Sequence, residues 1–429
     1  MKFYTTLLLI LITMAAGAQG GKALTIDSCY VWAKQNYPLL KQHDVIQKTK
    51  DFTMQNAWRV YIPQLNVAGQ VTYQSQTTQF SDAFGSISAV FPQFANIQFP
   101  KYSKDQYRFT AEVYQTIFDG GTSKYKKETA QAQADIQQQN LEVNLYTLND
   151  RVNQVYFGAL LIEEQLKLNK NQQDDLQNGI DRIQGLITNG AAFKSSADEI
   201  KAQLLTVKQN ATELSSARKA YLLVLGLLIN QPLDDNTQLT KPANPAFSVD
   251  IKRPELTLYD LQKKTYEIQA RQLNTGLMPQ ANAFFDGSYG RPTLNTVSND
   301  FGAFWLTGIR FNWSLTALYT RKNNKGIYRL NQNDLDIQKE AFLFNTKITL
   351  TQQEQEMKKY SELLETDKEI VDLRTSVKNA SNAQLQNGVL TGHDYITQVD
   401  AEARARETMA LHQIQLLQTQ YNHSNTVGN

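Results

Sequence analysis

Two stretches in the first half of the chain alternate apolar and polar side chains. Leu65, Val67, Gly69, Val71 and Tyr73 fall on one side, and Asn66, Ala68, Gln70, Thr72 and Gln74 on the other. Tyr107, Phe109, Ala111, Val113 and Ile117 oppose Arg108, Thr110, Glu112, Tyr114 and Thr116 in the same way. Residues two apart share a strand face, so both stretches predict strands with one apolar and one polar side. A second pair follows much later. Ala283, Phe285 and Tyr289 alternate with Asn282, Asp286 and Ser288, and Ile309, Phe311, Trp313 and Leu315 with Arg310, Asn312 and Ser314. Each predicted strand is about ten residues, enough to cross a bilayer when tilted. Taken alone, such alternation also fits a soluble, half-buried sheet.

Between the strand pairs the period changes. Leu141, Leu145, Leu148, Val152, Val155, Ala159, Ile162 and Leu166 step by four and three, and the pattern resumes at Leu176, Ile180, Ile183 and Ile187. This is a coiled-coil seam. It predicts an unbroken helix over residues 122–188, roughly 67 residues and about 100 Å long. A second rod, residues 319–386, has a looser seam at Leu363, Ile370, Leu373 and Val377. Each should stop at an Asn-Gly turn, Asn189-Gly190 and Asn387-Gly388, because glycine suits the left-handed position after a helix. Shorter helices over 196–229 and 393–421 then return. A further helix is expected over 24–61, with a possible kink at Pro38 and a stop at Pro63, and another over 256–274.

These elements form two copies in one order, offset by about 198–216 residues. Ile62-Pro63-Gln64-Leu65-Asn66 returns as Met278-Pro279-Gln280-Ala281-Asn282, and Val113-Tyr114-Gln115-Thr116-Ile117 as Phe311-Asn312-Trp313-Ser314-Leu315. Two copies are too few for a solenoid. They suggest a pseudo-twofold protomer built to join others in a ring. Residues 230–254, with Pro232, Pro242, Pro245 and Pro254, read as the linker between them.

Charge and composition narrow the classes. A net charge of +2 gives no case for nucleic acid as a partner. Lys2, the apolar run Leu7 to Ile12, and Ala16-Gly17-Ala18 read as a secretory signal over 1–18, with Gln19 as the new N-terminus. Cys29 is the single cysteine, so no disulfide within the chain is possible. Ile26-Asp27-Ser28 before it lacks the small residues that precede a lipid-modified cysteine, so it reads as a small buried residue. No later stretch holds 18 consecutive apolar residues, so no membrane-spanning helix is expected.

Several short motifs resemble the TolC-like outer-membrane efflux proteins. They are Leu24-Thr25-Ile26-Asp27 running to Asn36-Tyr37-Pro38-Leu39, Phe118-Asp119-Gly120-Gly121 at a strand-to-helix junction, Leu225-Gly226-Leu227 with Pro232-Leu233, and Arg253-Pro254-Glu255-Leu256. The resemblance covers the mature chain almost end to end. Thr316-Ala317-Leu318-Tyr319 departs from it, and that second junction must turn without glycine. The resemblance implies a mainly α protein with a small transmembrane β part. Its duplicated strand and long-helix repeat would give a trimeric twelve-stranded barrel continuous with a periplasmic helical barrel. The expected segments are 19–61 (periplasmic helix), 62–118 (first strand pair), 119–229 (first helical hairpin), 230–255 (linker), 256–277 (periplasmic helix), 278–317 (second strand pair) and 318–429 (second hairpin and C-terminus). A separate argument also calls for oligomers: four strands leave open edges that lipid cannot satisfy.

The chemistry points away from catalysis. His43, His393, His412 and His423 make no metal spacing, and no nucleophile elbow, Walker loop or dinucleotide fingerprint occurs. No cofactor is expected. Asp198 and Asp394 occupy matched places just after the two turns. They read either as helix-capping acids or, as the resemblance implies, as part of a periplasmic entrance whose carboxylates favour cations. Thr397 stands where some relatives carry another acid. Arg108, Glu112, Asp286 and Arg310 are assigned to the barrel lumen, and Tyr107, Trp305 and Trp313 to aromatic girdles. The expected partners are two further copies of the chain, outer-membrane lipid, a periplasmic adaptor and an inner-membrane pump. The chain would be an exit duct for small molecules or exported protein. The competing reading is a structural coiled-coil envelope protein, an adhesin or spacer.

Overall fold

The structure is a computed structural model that describes residues 23–77, 90–91, 102–295 and 298–429. The expected signal segment and most of the loop over 80–104 lie outside these residues. The chain divides into two compact units. One holds the chain up to Leu40, Leu141–Pro254 and Phe342–Asn429; the other holds Lys41–Asn140 and Glu255–Ala341.

The second unit is built on one antiparallel sheet. Its strands are β1 (Gln64–Tyr73), β2 (Asp105–Phe118), β3 (Gln280–Arg291) and β4 (Gly302–Asn312), paired in sequence order. Leu65 pairs with Val113, Val113 with Phe285 and Ala283 with Ile309, so the apolar rows align across all four strands. That face is exposed: Val71 at 72%, Trp305 at 64% and Phe311 at 75%. The outer edges of β1 and β4 have no partner strand among the described residues. β2 is longer than expected, and β4 ends before Trp313, whose indole N–H instead donates to the Leu277 carbonyl at 3.0 Å.

Helix α2 (Gln42–Trp58) leads into β1 through a 3₁₀ turn at Arg59–Tyr61. The expected single helix over 24–61 is two helices. α1 (Ile26–Asn36) stops before Tyr37, which is extended at φ −67°, ψ 129°, and Pro38–Lys41 form a 3₁₀ turn. A residue before proline is pushed out of the helical region by the ring's Cδ. The rod expected over 122–188 runs as α3 (Thr122–Tyr146) and α4 (Leu148–Thr188), which meet at Thr147, itself still helical at φ −64°, ψ −15° with its N–H on the Val143 carbonyl at 3.3 Å. The Thr147 hydroxyl donates to the Asn144 carbonyl at 2.8 Å.

The other unit is helical. α5 (Lys194–Ile229) and α8 (Gly392–Val427) pack on α4, with α1 against the α4–α5 pair. Cys29, Val152, Tyr156, Phe157, Leu160, Leu222, Leu225, Ile229, Ile414 and Leu417 share one core. Burial pushes the Cys29 thiol up to about 12, with Asp27 adding to the shift, which fits an inert core residue. The linker is tied down by Arg218, which pairs with Glu163 at 2.7 Å and donates to the Asp235 and Thr237 carbonyls. α6 (Pro254–Gln272) opens with proline at its first position. α7 (Ala317–Gln386) runs unbroken for 70 residues.

Candidate channel surfaces and periplasmic entrance

Both strand-to-helix junctions are defined in detail. At the first, Gly120 and Gly121 adopt φ of 69° and 85°. Asp119 accepts hydrogen bonds from the Gly121 and Ser123 backbone N–H groups at 2.9 and 2.6 Å and from the Tyr61 hydroxyl at 2.9 Å. Burial alone would raise its pKa, but these donors, Ser123 foremost, hold the carboxyl below its ordinary range. The second junction tightens through two 3₁₀-type turns, Leu318 N–H to Leu315 O at 3.0 Å and Tyr319 N–H to Thr316 O at 3.1 Å, with no positive φ, in keeping with its lack of glycine.

The polar face of the sheet carries all four residues assigned to a lumen. Glu112 lies directly across from Asp286, a pairing of like charges that is unfavourable unless solvated. Neither acid faces an arginine. The Arg310 guanidinium sits 4.8 Å from the centre of the Phe284 ring, and that of Arg108 5.8 Å from Phe304. Phe284, Phe304 and Leu306 share the face of Asp286 by register. The polar face is therefore less polar than alternation alone suggested. At one end of the sheet Tyr107, Tyr289 and Phe301 cluster around Arg291. Trp305 instead stacks on Phe285.

The two Asn-Gly turns are nearly identical. Gly190 and Gly388 adopt φ of 71° and 72°. Ala191 N–H reaches the Leu186 carbonyl and Val389 N–H the Gln384 carbonyl, both with the inner bond from the glycine N–H. This is the Schellman closure, which satisfies the last carbonyls of α4 and α7.

The acids beyond the turns are not equivalent. α8 starts at the Thr391 cap, so Asp394 is its third residue. The Thr391 hydroxyl accepts from the Asp394 N–H at 3.1 Å and donates to its carboxylate at 2.7 Å. α5 starts after Phe193, which makes no side-chain cap, so Asp198 is its fifth residue. By helix position Asp394 matches Ser196, and Asp198 matches Ile396. Two extra residues rotate Asp198 by about 200° around the helix. The expectation that the two acids are matched is corrected accordingly, and only Asp394 is a capping acid. Asp198 and Thr397 are exposed, and Thr397 donates to the His393 carbonyl at 3.0 Å.

The turn ends are held together by residues that sequence reasoning did not single out. Leu176, Ile180, Ile183, Ile200, Leu204, Leu385, Tyr395 and Val399 form an apolar cluster. Tyr395 fills the space over Gly179 and donates to the Asp175 carbonyl at 2.8 Å; burial, with Asp175 nearby, pushes its phenol up to about 12. Alongside runs a polar ladder. Lys378 of α7 bridges Asp175 of α4 at 2.7 Å and Glu402 of α8 at 3.7 Å, and Glu402 also binds Arg406 and Thr375. Asp400 accepts from Gln172 at 2.9 Å and from Gln203 at 3.0 Å. Arg182 donates to Asn382 at 2.7 Å. His393 meets Glu199 at 2.9 Å. The ladder's one sequence-level trace is the charged pair Glu402 and Arg406, four apart, beside the apolar Val399 and Ala403.

This fold is that of outer-membrane channels. Over 95% of this chain and 93% of the other, it resembles CusC with a TM-score of 0.68 at 11% identity. It resembles VceC from Vibrio cholerae with a TM-score of 0.63 at 11% identity, over 94% and 96% of the two chains. The open state of the Neisseria gonorrhoeae MtrE channel gives 0.63 at 12% identity, over 94% and 89%. At such identities the likeness concerns the fold. Sequence evidence of family comes from residues 33–231, which match the family profile described as outer membrane efflux protein. No curated protein sequence matches the chain. Residues 33–231 thus match the outer membrane efflux protein profile, and the chain as a whole has the fold of the outer-membrane channels it resembles.

Proposed function

We propose that three copies of the chain close a twelve-stranded barrel and that the resulting conduit receives its cargo from a periplasmic adaptor and an inner-membrane pump. The observation that carries this reading is the four-stranded sheet with an exposed apolar face and two unpaired edges. Unpaired backbone groups in lipid cost several kcal/mol each, by order of magnitude. Four strands do not close a barrel, whose smallest bacterial forms have about eight. Pairing β4 of one copy with β1 of the next satisfies both edges. The duct has no energy source of its own, so the work of transport falls to the pump. An adhesin or spacer has no use for a lipid-facing sheet.

The periplasmic entrance is assigned to the turn ends. Here the ladder through Asp175, Lys378, Glu402 and Asp400 ties the α4–α5 hairpin to the α7–α8 hairpin, and Asp394, Asp198 and Thr397 are exposed beside the turns. Threefold symmetry would gather three copies of each acid into a ring that favours cations. The assembly is tested by the mass of the detergent-extracted protein. A trimer that shifts to monomer only on heating is expected. A stable monomer with its full β content would overturn the proposal.

A further inference from the structure

The sheet's apolar face does not end at the strands. Past Ile309 and Phe311 it continues through Trp313 and Leu315 to Tyr319, exposed at 63%, 52% and 84%. At the first strand-to-helix junction Trp58 is 59% exposed, and the Lys127 ammonium sits 4.2 Å from the centre of its ring. Aromatic rings in such a position mark the boundary between acyl chains and headgroups.

Immediately beyond the rings the charge becomes one-sided. No acid occurs between Asp300 and Asp334, yet Arg321, Lys322, Lys325 and Arg329 fall in the first turns of α7. Lys322, Lys325 and Arg329 are spaced by three and four, so they share one stripe with Tyr319. All three are exposed, and none makes an ion pair with another described residue. α3 repeats the pattern with Lys124, Lys126 and Lys127, while its first acid, Glu128, is bound to Arg271 at 3.2 Å. Neither helix has an acid in its first turn. Cations there oppose the helix dipole, so helix stability does not explain them. In a chain whose net charge is only +2, this concentration is local.

We propose that this collar binds the phosphates of anionic phospholipids in the periplasm-facing leaflet of the outer membrane. Two observations choose this partner. The collar is continuous with the lipid-facing rows, and an unbalanced cationic stripe beside an aromatic belt complements an anionic headgroup layer. The tyrosine and tryptophan rings set the depth of the barrel, and the cations select which lipids surround it. The inference goes beyond the duct reading, since a conduit requires lipid of no particular charge.

The test uses the full-length mature protein in nanodiscs of phosphatidylcholine carrying trace spin-labelled phosphatidylglycerol or spin-labelled phosphatidylcholine. The immobilised fraction of each label is read by electron paramagnetic resonance. Native protein should immobilise phosphatidylglycerol over phosphatidylcholine by about threefold at low salt, and the ratio should approach one at about 0.5 M salt. The variant K322Q/K325Q/R329Q should lose the preference while immobilising as much phosphatidylcholine as before. The control K347Q/K358Q/K359Q removes equal charge elsewhere on α7 and should keep it. A ratio near one in native protein, or a ratio indifferent to salt, would overturn the proposal even if no variant folds. So would a triple variant that changes channel ion selectivity but leaves lipid preference intact, since the cations would then face the lumen.

Discussion

Helix α4 buries its apolar seam within its own chain, with Val152, Leu160, Leu176 and Ile183 each at most 2% exposed. Helix α7 is the longer and buries only Leu335, Leu350, Val371 and Leu385 among its large apolar residues. Leu330, Ile337 and Phe344 recur every seven residues and are all exposed, as are Leu363, Ile370 and Val377. A heptad stripe facing solvent is a helix without its partner. The looser seam read in the second rod is therefore not a weaker version of the first. It serves a different contact, and in the proposed trimer that contact is a neighbouring copy.

Charging the two seams separately should break this comparison most severely. I337D/F344D should abolish the trimer in mild detergent while leaving the helical circular dichroism of the chain largely intact. Leu160→Ala should instead destabilise the chain itself by about 2–5 kcal/mol, read by denaturant titration, because it opens a cavity in a filled core. If I337D/F344D still runs as a trimer, the α7 stripe faces elsewhere.

Glycines sharpen the contrast at smaller scale. A Cβ on Gly179 of α4 would lie 2.4 Å from the Tyr395 ring, which is anchored through its hydroxyl to Asp175. Gly326 of α7 has nothing within 4 Å of such an atom. Gly179→Ala should cost about 1–3 kcal/mol through overpacking. Gly326→Ala should stabilise by up to about 1 kcal/mol through helix propensity. Melting of the two variants should thus shift in opposite directions.

The two junctions offer a third comparison, since only the first has an acid anchor. Asp119→Asn should destabilise by about 1 kcal/mol, the usual scale of a lost cap. The sign with pH follows from the lowered carboxyl. Its contribution is complete above the unperturbed value of 3.8 and disappears as pH falls through the still lower folded value. Native and variant stabilities should therefore converge in strong acid, as measured by denaturant midpoints across an acidic pH series. The smallest expected effect on stability is Asp394→Ala, about 0.3–1 kcal/mol for a first-turn acid. In planar-bilayer recordings the same change should weaken cation preference. Unchanged conductance, selectivity and cation block in an intact trimer would leave Asp394 a capping residue only.

Most elements were legible in the chain because their causes are local. Alternation marks a strand wherever one face meets a different medium, and the Asn-Gly steps end helices because glycine alone takes the left-handed position freely. Pro38 was read as a kink but stops the helix, since the strain falls on Tyr37 as well. At the entrance, Asp198 and Asp394 read as matched because each follows an Asn-Gly turn, although they lie eight and six residues past the glycine. The helix caps, Phe193 and Thr391, both lie three residues past it, so that offset of two persists along the helices and separates the acids. The bridge from Lys378 to Asp175 joins residues more than two hundred positions apart, which no spacing rule links.

The amino-acid sequence by itself thus determined the strands, the long helices and their glycine stops, because each follows from periodicity or backbone freedom within a few residues. Tertiary structure alone decided which apolar stripe is buried and which is left open, and which charges on different helices bind one another. Those outcomes depend on the axial register between helices, and register is set by the packing of distant side chains such as Tyr395 over Gly179 rather than by any local signal.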